Sequence, residues 1–364
     1  MIRRKDRKDK MRIPEFIKPG DTIGLVAPSF GAGTEPYITR FHAAVKKFEE
    51  RGYRVKCADS CFKSDGLGIS TKPADAAADL VNFYLDDSID ALISVGGGEL
   101  MNETISCVDF ERLKQAKPKW YMGYSDNTNM IFPMATLCGV PGIYGPCACG
   151  FGKPWEDTER DAFALLEGTS LTVHGYDKFE RPDWDAGIEE PDPLAKYMLT
   201  EPKILRSFVP GKNGLQAADG QITMEGTLLG GCLDILENLS GTRFDGTRRL
   251  VEKGEKIIWV IEACDLTPMA IRRTVWHLKQ QGWFDTAAGF LVGRPLASFE
   301  QDMLGVDAYN AVTDVIADLE VPVIMDADIG HVAPMMPLII GSHAEVKAEG
   351  NDLEVKMSLM ESER

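Results

Sequence analysis

The sequence predicts an α/β protein with two domains, and three observations support this. The chain has 364 residues, 44% of them hydrophobic, which is enough to build a large core and more than one domain usually contains. In the first part, short apolar runs alternate with segments of helical spacing, which is the pattern of a parallel sheet. From about residue 152 to residue 222 the chain is rich in Pro, Asp, Glu and Gly, which indicates a crossing between domains.

The first domain is predicted from short apolar runs and from apolar residues at helical spacing. A proline opens the second helix, and Gly52 follows the first as a C-cap. In chain order we predict a strand at 22–27, a helix at 36–51, a strand at 53–57, a helix at 73–86, and strands at 91–95 and 119–123.

The second domain begins its regular structure with the apolar strand 256–261, after which Thr267 as N-cap and Pro268 at N1 start a helix. Further elements are a strand at 289–293, a helix at 308–319, a strand at 322–325 and a hairpin over 344–357. The predicted boundaries are 12–160 for the N-terminal domain, 161–222 for the crossing and 223–364 for the C-terminal domain.

Charge and cysteine content exclude several classes of protein. The formal net charge is −16, and an acidic chain repels phosphate backbones, so no nucleic-acid partner is expected. No run of about 18 apolar residues indicates a membrane span, and no apolar segment of a signal peptide follows the basic N-terminus. The eight cysteines form no pair of CxxC motifs, so neither a zinc site nor another cofactor is predicted. We expect a reduced, cytoplasmic protein.

Ser125 lies where a strand-like run becomes helix-like, in the segment KWYMGYSDNTNM from Lys119 to Met130. One interpretation is an ordinary helix N-cap, with Asp126 placed favourably in the first turn. The other is a nucleophile elbow, in which a strand-to-helix turn exposes the serine oxygen at the edge of the sheet. The motif Gly-x-Ser-x-Asn lacks the second glycine of the usual elbow, so the residues alone leave both interpretations open.

A serine nucleophile needs a base and an orienting carboxylate. Of the five histidines, His331 is the best candidate base because it follows Gly330 at the end of an apolar strand. Glu262 is the leading acid, since a carboxylate directly after five apolar residues is either exposed or held for a specific role. The competing acids are Asp265, Asp326 and Asp328.

The glycine turn 96–98 follows the strand 91–95 and could bind a ligand through its backbone N–H groups. It matches neither GxGxxG nor a Walker motif, and Glu99 would repel a phosphate. An oxyanion site shared with the N–H of Asp126 therefore fits better than a nucleotide site, while a connection without any ligand stays open.

Two rival functions follow from the same residues. One is a non-catalytic ligand-binding protein, in which the glycine turn binds an anion and Ser125 is only a cap. The other is a cysteine hydrolase that uses Cys147, Cys149 or Cys264.

Several segments, taken in order, resemble the serine peptidase family of the LD-carboxypeptidases and the microcin C immunity hydrolases. The resemblance covers about residues 12–355. The matching segments are PGDTIGLVAPS at 19–29, the strand into Gly96-Gly97, Gly123-Tyr124-Ser125-Asp126, Gly230-Gly231 with Gly241-Thr242, Ile261-Glu262, and Gly330-His331.

This resemblance implies a Ser-Glu-His triad of Ser125, Glu262 and His331. It also implies an oxyanion hole formed by the backbone N–H groups of the glycine turn and of the residue after the serine, here Gly96 or Gly97 together with Asp126. The implied fold is a Rossmann-like N-terminal domain with a parallel sheet and a mixed or barrel-like α/β C-terminal domain. The implied assembly is a homodimer.

Two branches of the family imply different substrates. LD-carboxypeptidases act on murein tetrapeptides, whereas the immunity branch cleaves aminoacyl-nucleotides, and the segment around His331 is more similar to the immunity branch. Trp184, on a central loop, is the residue predicted to stack on a nucleotide base, and Glu99 is the second residue predicted to bind substrate. The family's usual Gly-Gly-Asn is replaced by Gly230-Gly231-Cys232, and 338–341 replaces its Leu-Pro-x-Gly, so the substrate stays open.

Overall fold

The computed structural model describes residues 11–182, 192–212, 214–218, 220–299 and 302–359. In chain order its strands are β1 (Thr22–Val26), β2 (Arg54–Cys57), β3 (Ala91–Ser94), β4 (Trp120–Gly123), β5 (Gly142–Tyr144), β6 (Thr172–His174), β7 (Lys178–Phe179), β8 (Glu201–Pro202), β9 (Arg206–Gly211), β10 (Gly214–Ala217), β11 (Ile222–Cys232), β12 (Ile257–Glu262), β13 (Ala287–Gly293), β14 (Val323–Ala327), β15 (Leu338–Ile340), β16 (His343–Glu349) and β17 (Asp352–Ser358). Its α-helices are α1 (Tyr37–Glu50), α2 (Pro73–Leu85), α3 (Met101–Ile105), α4 (Phe110–Gln115), α5 (Thr128–Pro133), α6 (Asp157–Glu167), α7 (Leu233–Leu239), α8 (Thr247–Glu252), α9 (Pro268–Gln280) and α10 (Asn310–Ile316). No helix among these residues has the length and apolar character that crossing a membrane requires.

The N-terminal sheet is parallel through its first five strands, in the order β2-β1-β3-β4-β5. This is the strand order of a doubly wound α/β sheet, in which ligands bind at the carboxyl ends of the strands. Strands β1, β3 and β4 are buried along their whole length, as expected for apolar runs covered on both faces. The predicted Rossmann-like domain with a parallel sheet is therefore confirmed.

The second sheet is mixed, and its order is β10-β9-β14-β13-β12-β11-β16-β17-β6. Its centre, from β11 to β14, is parallel, and the flanking strands are antiparallel. Of the two predicted forms of the C-terminal domain, mixed or barrel-like, the mixed sheet is the one observed. The predicted hairpin is formed by β16 and β17, and Thr267 caps α9 by accepting a hydrogen bond from the N–H of Ala270.

Parts of the chain cross between the sheets in ways that the sequence pattern does not indicate. Strand β15 comes late in the chain but pairs antiparallel with β5, so it completes the N-terminal sheet. The sequence predicts a crossing with loops over 161–222, yet β6, β9 and β10 within this segment join the C-terminal sheet. Helix α6, closed at its start by a capping box of Glu156 and Glu159, precedes these strands.

Aromatic packing joins the two sheets below the strand ends. The ring of Phe132 in α5 stacks on Trp283, with ring centroids 5.0 Å apart, and Trp283 stacks on Trp259 of β12 at 5.4 Å. Such pairs contribute about 0.5–1.5 kcal/mol each beyond the burial of their area. This stack fixes the helix that follows Ser125 against the strand that ends at Glu262.

Candidate active site

Ser125 lies at the tip of a sharp turn after β4. It has a φ of +58°, which is rare for a residue with a side chain and is stabilised only where the surroundings impose it. A single 3₁₀ turn, Ser125–Asn127, leads into α5, and neither this turn nor α5 has a side-chain N-cap. The interpretation of Ser125 as a helix cap is therefore wrong, because its Oγ makes no capping hydrogen bond and contacts His331 instead.

His331 joins the serine to a carboxylate. Its Nε2 lies 2.8 Å from Ser125 Oγ, and its Nδ1 lies 2.8 Å from Glu262 Oε2. A carboxylate accepts the Nδ1–H, which leaves Nε2 to accept a hydrogen bond from the serine hydroxyl. Gly330, with a φ of +99°, makes the approach possible, because a Cβ there would lie 2.5 Å from Glu262 Oε2.

Glu262 ends β12 and is buried, with 1% of its surface exposed. Its second carboxylate oxygen, Oε1, accepts a hydrogen bond of 2.5 Å from the hydroxyl of Tyr144. Burial would raise the pKa of Glu262, but the charge and hydrogen bond of His331, with the hydroxyl of Tyr144, hold that pKa below its usual value. The carboxylate is therefore ionised at neutral pH.

The contact between Glu262 and His331 also affects the charge of the imidazole. Burial would lower the pKa of His331, but the negative charge of Glu262 and the hydrogen bonds of Cys264 and Glu262 together outweigh burial and hold that pKa well above its usual value of 6.5. The side chain of His331 is 14% exposed, so the ring is not fully enclosed.

The competing acids are engaged elsewhere. Asp326 pairs with Arg206, and Asp328 is buried between Arg294 at 3.0 Å and Lys203 at 3.6 Å. The carboxylate of Asp265 contacts the thiol of Cys264 at 3.5 Å, and its backbone N–H donates to the side chain of Asp234. Among the described residues, Glu262 is the carboxylate that accepts a hydrogen bond from His331.

The glycine turn faces the serine, as the sequence predicts. A Cβ added to Gly97 would lie 3.5 Å from Ser125 Oγ, so this glycine lines the space beside the hydroxyl. The carbonyl of Gly96 accepts a hydrogen bond from the side chain of Asn127, which joins the two turns. In the part of the chain that the structure describes, the backbone N–H groups of Gly97 and Asp126 have no hydrogen-bond acceptor. Free N–H groups beside a serine hydroxyl are the donors that an oxyanion hole requires.

Comparison with known proteins assigns the chain to a family. Residues 23–145 match the model of the LD-carboxypeptidase N-terminal domain, and residues 225–346 match that of the LD-carboxypeptidase C-terminal domain. Together the two matches cover more than half of the chain. The chain belongs to the LD-carboxypeptidase family. This confirms the resemblance found in the sequence and places the chain in a family of peptidases.

Curated members of the LD-carboxypeptidase family are similar along almost their whole length. A Bacillus subtilis protein named "Probable murein peptide carboxypeptidase" is 25% identical over 91% of this chain and 90% of its own. The microcin C7 self-immunity protein MccF of Escherichia coli is 24% identical over 95% and 96% of the two chains. The solved structure of MccF in complex with glutamyl sulfamoyl guanosine has a TM-score of 0.75 at 19% identity and covers 96% of this chain and all of its own, which shows a shared fold.

Four residues that the sequence pattern does not single out hold this candidate site together. Tyr144 contacts Glu262 and also accepts a hydrogen bond of 3.0 Å from the N–H of Ser125. Asn127 ties the serine turn to the glycine turn, and Ser29 donates to the buried carboxylate of Asp126. Thr128 donates to the carbonyl of Ser125 and accepts from the N–H of Cys232. The available signal was the polar run after Ser125, which is unusual at the start of a buried helix.

The predicted substrate-binding residues have different outcomes. Glu99 is exposed, and its pKa is raised by partial burial and by the neighbouring carboxylates of Asp265, Asp126 and Asp234. Its role in substrate binding stays a prediction. Trp184 lies outside the described residues.

The thiols of the alternative cysteine nucleophiles stay protonated, although that of Cys264 lies beside His331. Burial raises the pKa of Cys147 and of Cys149 to about 12, and burial also raises the pKa of Cys264. A catalytic cysteine requires a lowered thiol pKa. Within the described ranges, no group of three or more His, Cys, Asp or Glu side chains is arranged to hold a metal ion.

Proposed function

We propose that this chain is a serine hydrolase that cleaves an amide bond through an acyl-enzyme. The observation that supports this best is the hydrogen-bonded series from Ser125 Oγ through His331 to Glu262, with both contacts at 2.8 Å. Such an arrangement is recognised by geometry and by the roles of its members. Membership in a family of carboxypeptidases supports the same reaction class.

In the proposed reaction, Ser125 Oγ attacks the carbonyl carbon while His331 Nε2 takes the hydroxyl proton. The tetrahedral intermediate then collapses: the carbon–nitrogen bond breaks, and the imidazolium gives its proton to the departing amine. A water molecule, deprotonated by the same nitrogen, cleaves the ester and regenerates the serine. Glu262 orients the ring and stabilises its charged form in both steps.

The negative charge that develops on the carbonyl oxygen needs hydrogen-bond donors. The N–H groups of Gly97 and Asp126 are the proposed donors, since both flank the serine hydroxyl and neither has an acceptor within the described part of the chain. Each such donor contributes about 3 kcal/mol to lowering the barrier. The side chain of Asp126 supports this arrangement because it accepts hydrogen bonds from Ser29 and from the N–H of Met101, next to the glycine turn.

Two substrate classes follow from the relatives. MccF, in one solved structure, is bound to glutamyl sulfamoyl guanosine, and another relative is named a murein peptide carboxypeptidase. We propose an aminoacyl-nucleotide as the first substrate to test and a murein tetrapeptide as the alternative. The purified protein should be assayed on both side by side, with Ser125→Ala as the control for contaminating hydrolases. Hydrolysis of either that is lost in the variant supports the proposal, and hydrolysis of neither contradicts both assignments.

The pH dependence of the reaction follows from the charge of His331. Only the neutral imidazole can accept the serine proton, and Glu262 holds the pKa of His331 well above 6.5. Below that pKa, kcat/KM is therefore expected to fall about tenfold per pH unit, with the half-maximal rate above pH 6.5. A pH–rate profile of the parental protein checks this, and full activity at pH 5 would contradict it.

A further inference from the structure

The hydroxyl of Tyr144 connects the two halves of the site. Tyr144 ends β5 in the N-terminal sheet, where it pairs in register with Gly123 at the end of β4. Its side chain is fully buried, and its hydroxyl reaches Glu262 at the end of β12 in the other sheet. It donates to Glu262 Oε1 at 2.5 Å and accepts from the N–H of Ser125 at 3.0 Å. One oxygen atom therefore contacts both the nucleophile's backbone and the acid.

The direction of these hydrogen bonds is fixed by charge. Burial, followed by the negative charge of Glu262, raises the pKa of Tyr144 well above its usual value of 10, so the phenol stays neutral. Its single proton is directed to the ionised carboxylate, and its lone pair remains for the N–H of Ser125. Both contacts are thus satisfied at once while Glu262 is ionised.

The hydroxyl has a consequence for each partner. Ser125 holds a φ of +58°, and without Tyr144 its N–H would lose the acceptor that it has in this strained turn. Glu262 accepts hydrogen bonds from His331 at Oε2 and from Tyr144 at Oε1, and the neutral thiol of Cys232 faces the same carboxylate. If the hydroxyl of Tyr144 is removed, the carboxylate interacts more strongly with His331. The imidazole then becomes harder to deprotonate.

We propose that Tyr144 is a positioning residue whose one hydroxyl holds the Ser125 turn and the Glu262 carboxylate in register across the two sheets. The inference rests on the proposed function and deepens it. It assigns to a residue outside the triad the control of both the nucleophile's geometry and the basicity of His331.

Other groups face the same pair and do not replace Tyr144. Glu262 is surrounded by His331, Tyr144, Tyr124 and Cys232, and His331 also faces Cys264 and Glu99. The pKa values of Tyr124 and of the two cysteines are raised by burial, so these groups stay neutral. Glu99 is exposed, and it acts on His331 only through its charge.

The test is Tyr144→Phe, read out by the rate at which a fluorophosphonate labels Ser125 as a function of pH. This readout needs no knowledge of the substrate. We expect the limiting rate to fall about 10- to 100-fold, the effect of losing a hydrogen bond to a charged group. We also expect the acidic limb of the profile to move to higher pH, because His331 would keep its proton longer.

A second variant keeps the inference testable even if Tyr144→Phe folds poorly. Replacing Tyr144 with 3-fluorotyrosine keeps the shape and makes the phenol a stronger donor, so the acidic limb should move to lower pH. Tyr53→Phe is the matched control, since Tyr53 is also buried and donates to a carboxylate, Glu167, at 2.6 Å, outside the site. Its profile should coincide with that of the parental protein.

The outcomes separate this inference from the proposed function. The inference is supported if the acidic limb of the pH profile moves in opposite directions in the two Tyr144 variants and does not move in the control. A slower reaction with an unmoved acidic limb in both variants would mean a merely structural role and overturn it, while labelling of Ser125 in the parental protein would still support the hydrolase. If the parental protein is not labelled at Ser125 at any pH, the proposed function fails, and the inference fails with it.

Discussion

Replacing Ser125 with alanine is expected to reduce kcat by about 10⁶-fold, the effect of removing the nucleophile of a triad. The alanine removes the oxygen that His331 Nε2 contacts at 2.8 Å. The turn itself is held because the N–H of Ser125 donates to the hydroxyl of Tyr144 and the carbonyl of Ser125 accepts from Thr128. The free energy of unfolding should therefore change little. Single-turnover kinetics together with a thermal melt measure both quantities.

Ser70→Ala is the matched control for this experiment. Ser70 is also buried, but its hydroxyl donates to the carbonyl of Ala27 at 2.6 Å and has no contact with His331. This variant should keep a kcat close to the parental value, although it loses some stability. An unchanged kcat in Ser125→Ala would show that the assignment of the nucleophile is wrong.

Replacing Glu262 with glutamine is expected to lower kcat by about 10⁴-fold, as happens when the orienting acid of a triad becomes an amide. The amide keeps the shape, but it cannot stabilise the imidazolium, and its NH₂ group would favour the wrong tautomer of His331. The hydroxyl of Tyr144 would also lose a charged acceptor at 2.5 Å. Steady-state kinetics at pH 8, above the ordinary histidine pKa, measure the effect.

Asp265→Asn tests the competing assignment of the acid. Asp265 lies three residues after Glu262, but its backbone N–H bonds to Asp234, and no described contact joins its side chain to His331. We expect this variant to retain most of the parental kcat. Loss of activity in Asp265→Asn with activity kept in Glu262→Gln would reverse the two roles.

Much of this site could be predicted because its three central residues each follow a strand. In each sheet, polar groups at the carboxyl ends of parallel strands are candidates for ligand binding. Ser125 lies just beyond the end of β4 in the N-terminal sheet, and Glu262 ends β12 in the C-terminal sheet. An acid after five apolar residues is also expected to have a specific partner, because burying an unpaired charge is costly. Local patterns of this kind can be recognised in a single sequence.

Other features could not be predicted because they depend on contacts between distant segments. Strand β5 has only three residues, and nothing in the run Gly142–Tyr144 indicates that its tyrosine reaches the second sheet. Strand β15 joins the N-terminal sheet by pairing with β5. The spacing of apolar residues along the sequence does not indicate which strand β15 pairs with. The cap interpretation of Ser125 failed for a similar reason, since a hydroxyl that could cap a helix is held instead by a histidine 206 positions away.

The central claim is that Ser125 is a nucleophile activated by His331. It is tested most directly by treating the protein with a fluorophosphonate and mapping the adduct by mass spectrometry of proteolytic peptides. The structure predicts one adduct, on the peptide that contains Ser125, formed rapidly in the parental protein and very slowly in His331→Ala. An adduct on another residue, or equal labelling of Ser125 in the two proteins, would contradict the claim.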